Sequence, residues 1–299
     1  MIKGNEVYSP VRGKPGTDWQ LLTHKVASVV GRIVLYLVIA AGAVIFILPL
    51  IWMISTSVKP DYQLYNIPII WIPDELDWQN YVDGWRVLPF PRFYWNTTYV
   101  TIVNIIGLVF SSSLVAFGFA RIRFWGRDAI FIILLATMML PSQVTLIPIY
   151  LFWSQLGLVN SFWPLIIPQW LTNAYNVFLL RQFFMSINME LDDAARIDGA
   201  SWFRIYWNIL MPLSKPALGV IAIQAFAFNW NNFIDPLIYL NDPKKYTIAI
   251  GLRLFQTQQS QKMAETMAMT LVALVPVLVV FYIAQAKFIQ GIVISGVKG

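Results

Sequence analysis

Two groups of residues in this chain have types and spacing suited to acting on another molecule. The first is Asp193-Ala194-Ala195-Arg196-Ile197-Asp198-Gly199-Ala200. Alanines beside a glycine that can end a helix leave one side of a turn thin, so a groove on another protein could close around it. Its chemistry is recognition, and the competing reading is an ordinary interfacial loop. The second group is Gln224, Phe228, Asn231 and Asp235, spaced i, i+4, i+7 and i+11. On one helix they share a face. Amides and an aromatic ring in one stripe suit hydrogen bonds to hydroxyls and stacking on a ring face, the demands of a sugar path. The competing reading makes each amide a brace between membrane helices, worth about 0.6 kcal/mol. Gln143, Gln169, Asn173 and Asn104 are weaker candidates of the same kind, and Asp235 can also be read as a solvated residue at a helix end.

Tools for bond-breaking chemistry are scarce. There is no cysteine, hence no disulfide framework, thiol nucleophile or cysteine metal site. His24 is the only histidine and has neither a triad partner nor neighbours for a metal. A phosphate-binding loop needs Gly-x4-Gly-Lys-Ser/Thr. The only Gly-Lys pair, Gly13-Lys14, is followed by Pro15, with Tyr8 where the first glycine belongs. Any ATP hydrolysis therefore falls to a separate chain, and no cofactor is expected on this one.

The elements that must hold these residues are apolar. The chain is 58% hydrophobic and 12% charged, against about 25% charged in an average soluble protein. Uncharged runs at 33–58, 93–120, 129–180, 216–234 and 266–286 are each long enough to cross hydrocarbon, which takes about 20 apolar residues. The third run is too long for one crossing and breaks at Ser154–Ser161, a turn-like stretch containing Gly157 and Asn160. The expectation is an all-α polytopic membrane protein with six spans at about 33–58, 93–120, 129–153, 162–185, 216–238 and 266–287. The N-terminal tail is 1–32, with a candidate interfacial helix through Trp19, Leu21, Leu22 and Val26 that can equally be an early start to the first span. That run is too long for a cleaved signal and reads as an uncleaved span. An outer segment at 59–92, rich in proline and aromatics, reads as a small folded cap, 239–265 is an outer loop, and 289–299 is a C-terminal tail.

With the N-terminus inside, fourteen of the 21 lysines and arginines fall in inner segments and seven in outer ones. That bias puts both termini in the cytoplasm, and it explains the net charge of +6 without a nucleic-acid partner. The loop at 186–215 then lies in the cytoplasm. Ser186 and Asn188 are candidate caps for a first helix, Glu190, Asp192 and Asp193 suit its N-terminal dipole, Gly199 ends it, and Ser201 caps a second.

Asp193-Ala194-Ala195, Gly199, Ile209 and Pro212 together resemble the signature loop of bacterial ABC-importer permeases, Glu-Ala-Ala-x3-Gly-x9-Ile-x-Leu-Pro, with Asp193 for glutamate and Met211 for leucine. Asn229-Trp230-Asn231-Asn232-Phe233, Pro236-Leu237, Leu240-Asn241-Asp242-Pro243 and the tail from Gln290-Gly291 to Gly299 resemble the carbohydrate-uptake branch, the six-span maltose-transporter permease family. The resemblance implies a type I importer permease fold that forms half of a pore with a second, non-identical permease. It also implies an ATP-binding subunit pair carrying ATP and Mg, an extracytoplasmic solute-binding protein, a carbohydrate cargo, and a site in the bacterial cytoplasmic membrane among its lipids. Asp193, Ala194, Ala195, Asp198, Gly199 and Ala200 would be the coupling helix in the ATPase cleft. Gly296, Val297, Lys298 and Gly299 would also reach the ATPase, and the 239–265 loop would reach the binding protein. Rival readings are an ion-driven transporter acting alone, which wants ionisable groups at mid-membrane that these spans lack, and a membrane-embedded enzyme, which wants the tools just found missing.

Overall fold

The computed structural model describes residues 18–258 and 262–296. Among them every regular element is helical. The chain divides into two compact units, one up to Met53 and one from Ile54 onward. The first is most of α1 (Asp18–Ser57), a single helix of 40 residues. Residues 18–32 are therefore an early start to that helix, not a separate interfacial one.

The second unit is built around α3 (Phe90–Arg121), which packs along α6 (Trp163–Trp170), α7 (Ala174–Ser186) and α11 (Lys215–Asn231), and also meets α13 (Ile248–Gln258). Its buried face carries Asn96, Thr97, Asn104, Ser112 and Ser113 among Phe93, Leu108 and Phe117. Before α3, α2 (Gln79–Val87) packs on α14 (Met263–Gly296). At two points backbone approach is close enough to require glycine. A Cβ at Gly107 would overlap the Trp170 indole, and one at Gly251 would overlap the Phe93 ring.

Among the described residues three helices are long and apolar enough to cross a membrane: Val26–Ser57, Phe90–Arg121 and Met263–Gln285. Two more candidates are bent pairs, Arg127–Met139 with Ser142–Gln155 at 99° and Trp202–Leu213 with Lys215–Asn231 at 77°. The 129–153 segment is not one straight helix but α4 (Arg127–Ala136), a 3-10 turn, and α5 (Ser142–Gln155). The cause is Pro141: it has no N–H, and it pushes Leu140 to extended backbone at φ −79° and ψ 117°. The 162–185 segment is likewise not one helix. It breaks between α6 and α7, where Thr172 takes φ +75° and Asn173, extended, caps α7 by accepting from the Tyr175 N–H at 2.9 Å.

The 216–238 segment also divides. α11 stops at Asn231, Asn232 turns extended, and α12 (Ile234–Tyr239) starts afresh. The outer loop carries a 3-10 turn at Pro243–Lys245 and the helix α13. Of the C-terminal tail, Gly296 still belongs to α14, while Val297, Lys298 and Gly299 lie outside the described residues, as do Gln259 and Gln261 of the loop.

Candidate functional site

The 186–215 segment folds as two short helices around a glycine turn. Asn188 opens it: its Oδ1 accepts from the Glu190 N–H at 3.1 Å, while Ser186 Oγ bonds back to the Phe183 carbonyl. Helix α8 (Glu190–Ile197) follows, with Glu190, Asp192 and Asp193 in its first turn. It ends in a six-residue wrap. The Ala200 N–H reaches the Ala195 carbonyl at 2.9 Å and the Gly199 N–H reaches the Arg196 carbonyl at 3.0 Å, with Gly199 at φ +76°. This is the Schellman termination, which a residue with a side chain enters only under strain. Ser201 then caps α9 (Trp202–Ile205), its hydroxyl accepting from the Arg204 N–H at 3.3 Å.

One π-turn, Tyr206–Leu210, and the short α10 (Met211–Leu213) lead into α11. Pro212 and Pro216 lack the N–H groups a regular ladder would use here.

The six loop residues singled out from sequence sit in two settings. Asp193, Ala194, Asp198 and Gly199 are exposed. Ala195 and Ala200 are half-buried and pack on a core formed by Phe117, Val177, Leu180, Phe184, Tyr206 and Leu210. α8 is therefore seated through Ala195, with Ala200 of the following turn beside it, and offers Asp193 and Ala194 outward. Ile197 stands on the same turn at 87% exposure, an apolar side chain with nothing over it. A groove of about 280 Å³ runs beside the turn, bounded by Ala195, Asp198, Ala200, Arg204, Asn208 and Ile209.

Sequence reasoning missed the feature that fixes α8. Arg121, the last residue of α3, meets Asp192 with Nε 2.7 Å from Oδ2, both side chains 1% exposed. The same guanidinium donates to the Ile187 carbonyl at 2.9 Å and to Met189 Sδ at 3.1 Å. Three contacts thus hold the start of α8 to the end of α3. Burial raises the Asp192 carboxyl above the ordinary aspartate value, Arg121 opposes the shift, and Asp193 adds to it. The two partners are 71 positions apart, so no periodicity could pair them; an arginine ending an uncharged run was the only available signal.

The polar stripe is only partly one face. Gln224, Phe228 and Asn231 lie on α11 and all three are exposed in this chain. Asp235 does not continue the stripe, because the backbone breaks at Asn232; it belongs to α12 and binds Asn232, whose Nδ2 donates to Oδ2 at 2.8 Å. Two recesses result. Gln224 and Phe228 line one of about 270 Å³ with Gln169, Asn173, Asn176 and Asn229. Asp235 lines another of about 170 Å³ with Trp153, Gln169, Asn229, Asn232 and Tyr239. Asn231 lines neither and its Nδ2 returns to the Ala227 carbonyl at 2.8 Å.

Bracing falls to different residues. Asn104 of α3 donates to Asn229 Oδ1 at 2.5 Å and to the Leu165 carbonyl at 3.0 Å, tying α3, α11 and α6 together. Asn229 and Asn176 were missed as recess-lining residues. Gln143, at the start of α5, is exposed.

The fold of broken apolar helices thus projects a small helix, α8, clamped to the end of α3. A family profile described as binding-protein-dependent transport system inner membrane component matches residues 107–294. The arabinooligosaccharides transport system permease protein AraQ of Halalkalibacterium halodurans is 31% identical over 86% of this chain and 93% of its own. The galactooligosaccharides transport system permease protein GanQ of Bacillus subtilis is 31% identical over 88% and 94%. Among solved structures, a bacterial ABC transporter involved in the import of the acidic polysaccharide alginate has a chain that superposes with a TM-score of 0.80. It covers 88% of this chain and 98% of that one at 23% identity, a likeness of fold. The chain belongs to the family of binding-protein-dependent transport system inner membrane components, the ABC-importer permeases.

Proposed function

We propose that this chain forms half of the translocation pore of an ATP-driven, binding-protein-dependent carbohydrate importer in the bacterial cytoplasmic membrane, with an oligosaccharide as cargo. Cargo class rests on relatives whose names specify arabino- and galactooligosaccharides, and on recesses lined by amides with an aromatic ring beside them. In this reading α6 and α7 together make a sixth span beside the three long helices and two bent pairs, and both termini face the cytoplasm, as the lysine and arginine bias favours.

The observation that carries the proposal is α8: a short helix pinned to α3 by Arg121, with Asp193, Ala194, Ile197 and Asp198 turned outward. It would seat in the cleft of a separate ATPase pair, which binds ATP and Mg. Closure of that pair would displace α8, and the Arg121 contacts would pass the displacement to α3 and the helices packed on it. Gly296–Gly299 would add a second ATPase contact. A second, non-identical permease completes the pore, and a solute-binding protein delivers cargo to the outer face, where 239–265 would reach into it. Gln224, Phe228 and Asn231, exposed on α11, would face the passage, with Asp235 near its outer end.

Reconstitution with these partners tests the proposal. Asp193→Arg inverts the charge of the outward edge. At Gly199→Val the added Cβ meets no neighbour within 4 Å, but the residue must hold φ +76°, at a cost of at least about 1–2 kcal/mol. Both variants should stay in the membrane while ATP-driven uptake falls roughly tenfold or more. Undiminished uptake in both would overturn the assignment of α8.

A further inference from the structure

The connection between α1 and α3 contains a nine-residue stretch without charge, Tyr65-Asn66-Ile67-Pro68-Ile69-Ile70-Trp71-Ile72-Pro73, bracketed by Asp61 and Asp74. Its apolar side chains face out. Ile67 is 97% and Ile72 84% exposed, and Tyr65, Ile69 and Trp71 are exposed with them. From this stretch and its position we infer a lipid-surface anchor: residues 65–73 insert into the interfacial layer of the leaflet at which α1 ends.

Position decides the occupant. The base of the loop is closed by Gln63, 2% exposed, whose Nε2 donates to Asp74 Oδ2 at 3.0 Å while its Oε1 accepts from the Asp74 N–H at 3.3 Å. The loop is then tied to the last turn of α1. Ser55 Oγ donates to the Trp71 carbonyl, and the Asp77 N–H donates to the Val58 carbonyl at 2.8 Å. Asn80 Nδ2 donates to the carbonyls of Ser57 and Lys59.

α1 ends here as a helix long and apolar enough to span, and α3, the next such helix, starts at Phe90. A chain that crosses on one helix and returns on the other makes this connection at one membrane face. The Trp71 backbone, within hydrogen-bonding reach of the final turn of α1, therefore lies at the membrane face that α1 reaches. Exposed isoleucines flanked by Tyr and Trp at that face have the composition of an interfacial segment. Two prolines lower the number of N–H groups such a segment must satisfy near lipid. The carboxylates of Asp61, Asp74, Glu75 and Asp77 stay outside the stretch, at its ends, where water can reach them.

The absence of cysteine makes the test clean. Ile67→Cys and Ile72→Cys each take a single nitroxide label, and exposed Glu75→Cys serves as the aqueous reference. The labelled full chain, with whatever subunits co-purify, is placed in phosphatidylethanolamine–phosphatidylglycerol vesicles, and collision rates with oxygen and with a soluble nickel chelate are read by power saturation. Positions 67 and 72 should favour oxygen, giving a positive depth parameter, while position 75 favours nickel. A nickel preference at 67 and 72 puts the loop in water and overturns the anchor. Low collision with both reagents means a protein partner covers the loop, and overturns it equally. Neither reading depends on transport, so the result is independent of the proposed function.

Discussion

At the scale of single residues, Arg121 and Asp192 carry the sharpest expectations. Truncation by Asp192→Ala leaves a buried guanidinium without its counter-charge, which costs roughly 3–5 kcal/mol in comparable pairs. The expected outcome is a lower melting temperature and proteolytic opening of 186–215. The double change Arg121→Met with Asp192→Leu removes the charge together with its partner and should recover most of that loss. Acid sensitivity follows from the direction of the Asp192 shift. A carboxyl whose folded-state pKa is raised contributes stability that is present below its unfolded value and is lost as pH rises through the folded one. At neutral pH the ionised group thus carries a desolvation cost that Arg121 only partly offsets. Lowering the pH should discharge Asp192 before an ordinary aspartate and loosen α8 from α3 without lowering global stability through this group. Asp192→Asn keeps an acceptor for Arg121 without the charge, so it should lose less stability than Asp192→Ala, while the complex assembled with it should couple ATP hydrolysis to uptake more weakly at neutral pH. A coupling ratio unchanged from the parent would remove Arg121–Asp192 from the transmission route.

At the scale of elements, the glycine–tryptophan approach between α3 and α6 sets a separable test. Gly107→Ala drives a methyl into the Trp170 indole, whereas Gly118→Ala, on the same helix, meets nothing within 4 Å. Overpacking of this sort costs about 1–3 kcal/mol. Thermal unfolding in detergent should separate the two, with Gly118→Ala close to the parent or slightly more stable. What the sequence disclosed at this scale, and what it hid, follows from the range of the forces involved. Gly199, Ser201 and Asn188 act on backbone groups within a few positions, and their roles in ending and starting helices were readable. Hydrophobicity marked long segments correctly as apolar but could not say whether each was one helix. Pro141 ends a helix, while Pro148, Pro168 and Pro276 sit inside helices, because neighbouring structure and not proline alone decides which kinks become breaks. The break at Asn232 falls four residues before Pro236, whose ring would clash with the Asn232 carbonyl in a continuous helix, and it is the one that removed Asp235 from the predicted stripe.

At the scale of the whole molecule, α3 is the element bonded both to the loop and to residues that line the recesses. It is unbroken for 32 residues, about 48 Å at 1.5 Å per residue. Arg121 at one end holds α8, Asn104 along its length is bonded to Asn229, and Asn96 nearer the other end donates to the Lys244 and Tyr246 carbonyls of the 239–265 loop. A push on α8 need not travel through a flexible chain to reach either recess. Asn229, which braces Asn104 as well as lining both recesses, should then fail differently from Gln224 and Phe228, which only line one. Asn229→Ala leaves Asn104 with the Leu165 carbonyl alone in the interior, so it should lower the melting temperature by an amount consistent with about 1–3 kcal/mol, with uptake falling as folded protein is lost. Gln224→Ala and Phe228→Ala alter exposed side chains on α11 and should leave the melting temperature unchanged. Their effect should appear in the concentration dependence and sugar preference of ATP-driven uptake, measured with the binding protein saturating. Stability loss at Gln224 and Phe228 with an unaltered preference would assign them to bracing, and would leave the recess beside Asn173 and Asn176 without a role in cargo passage.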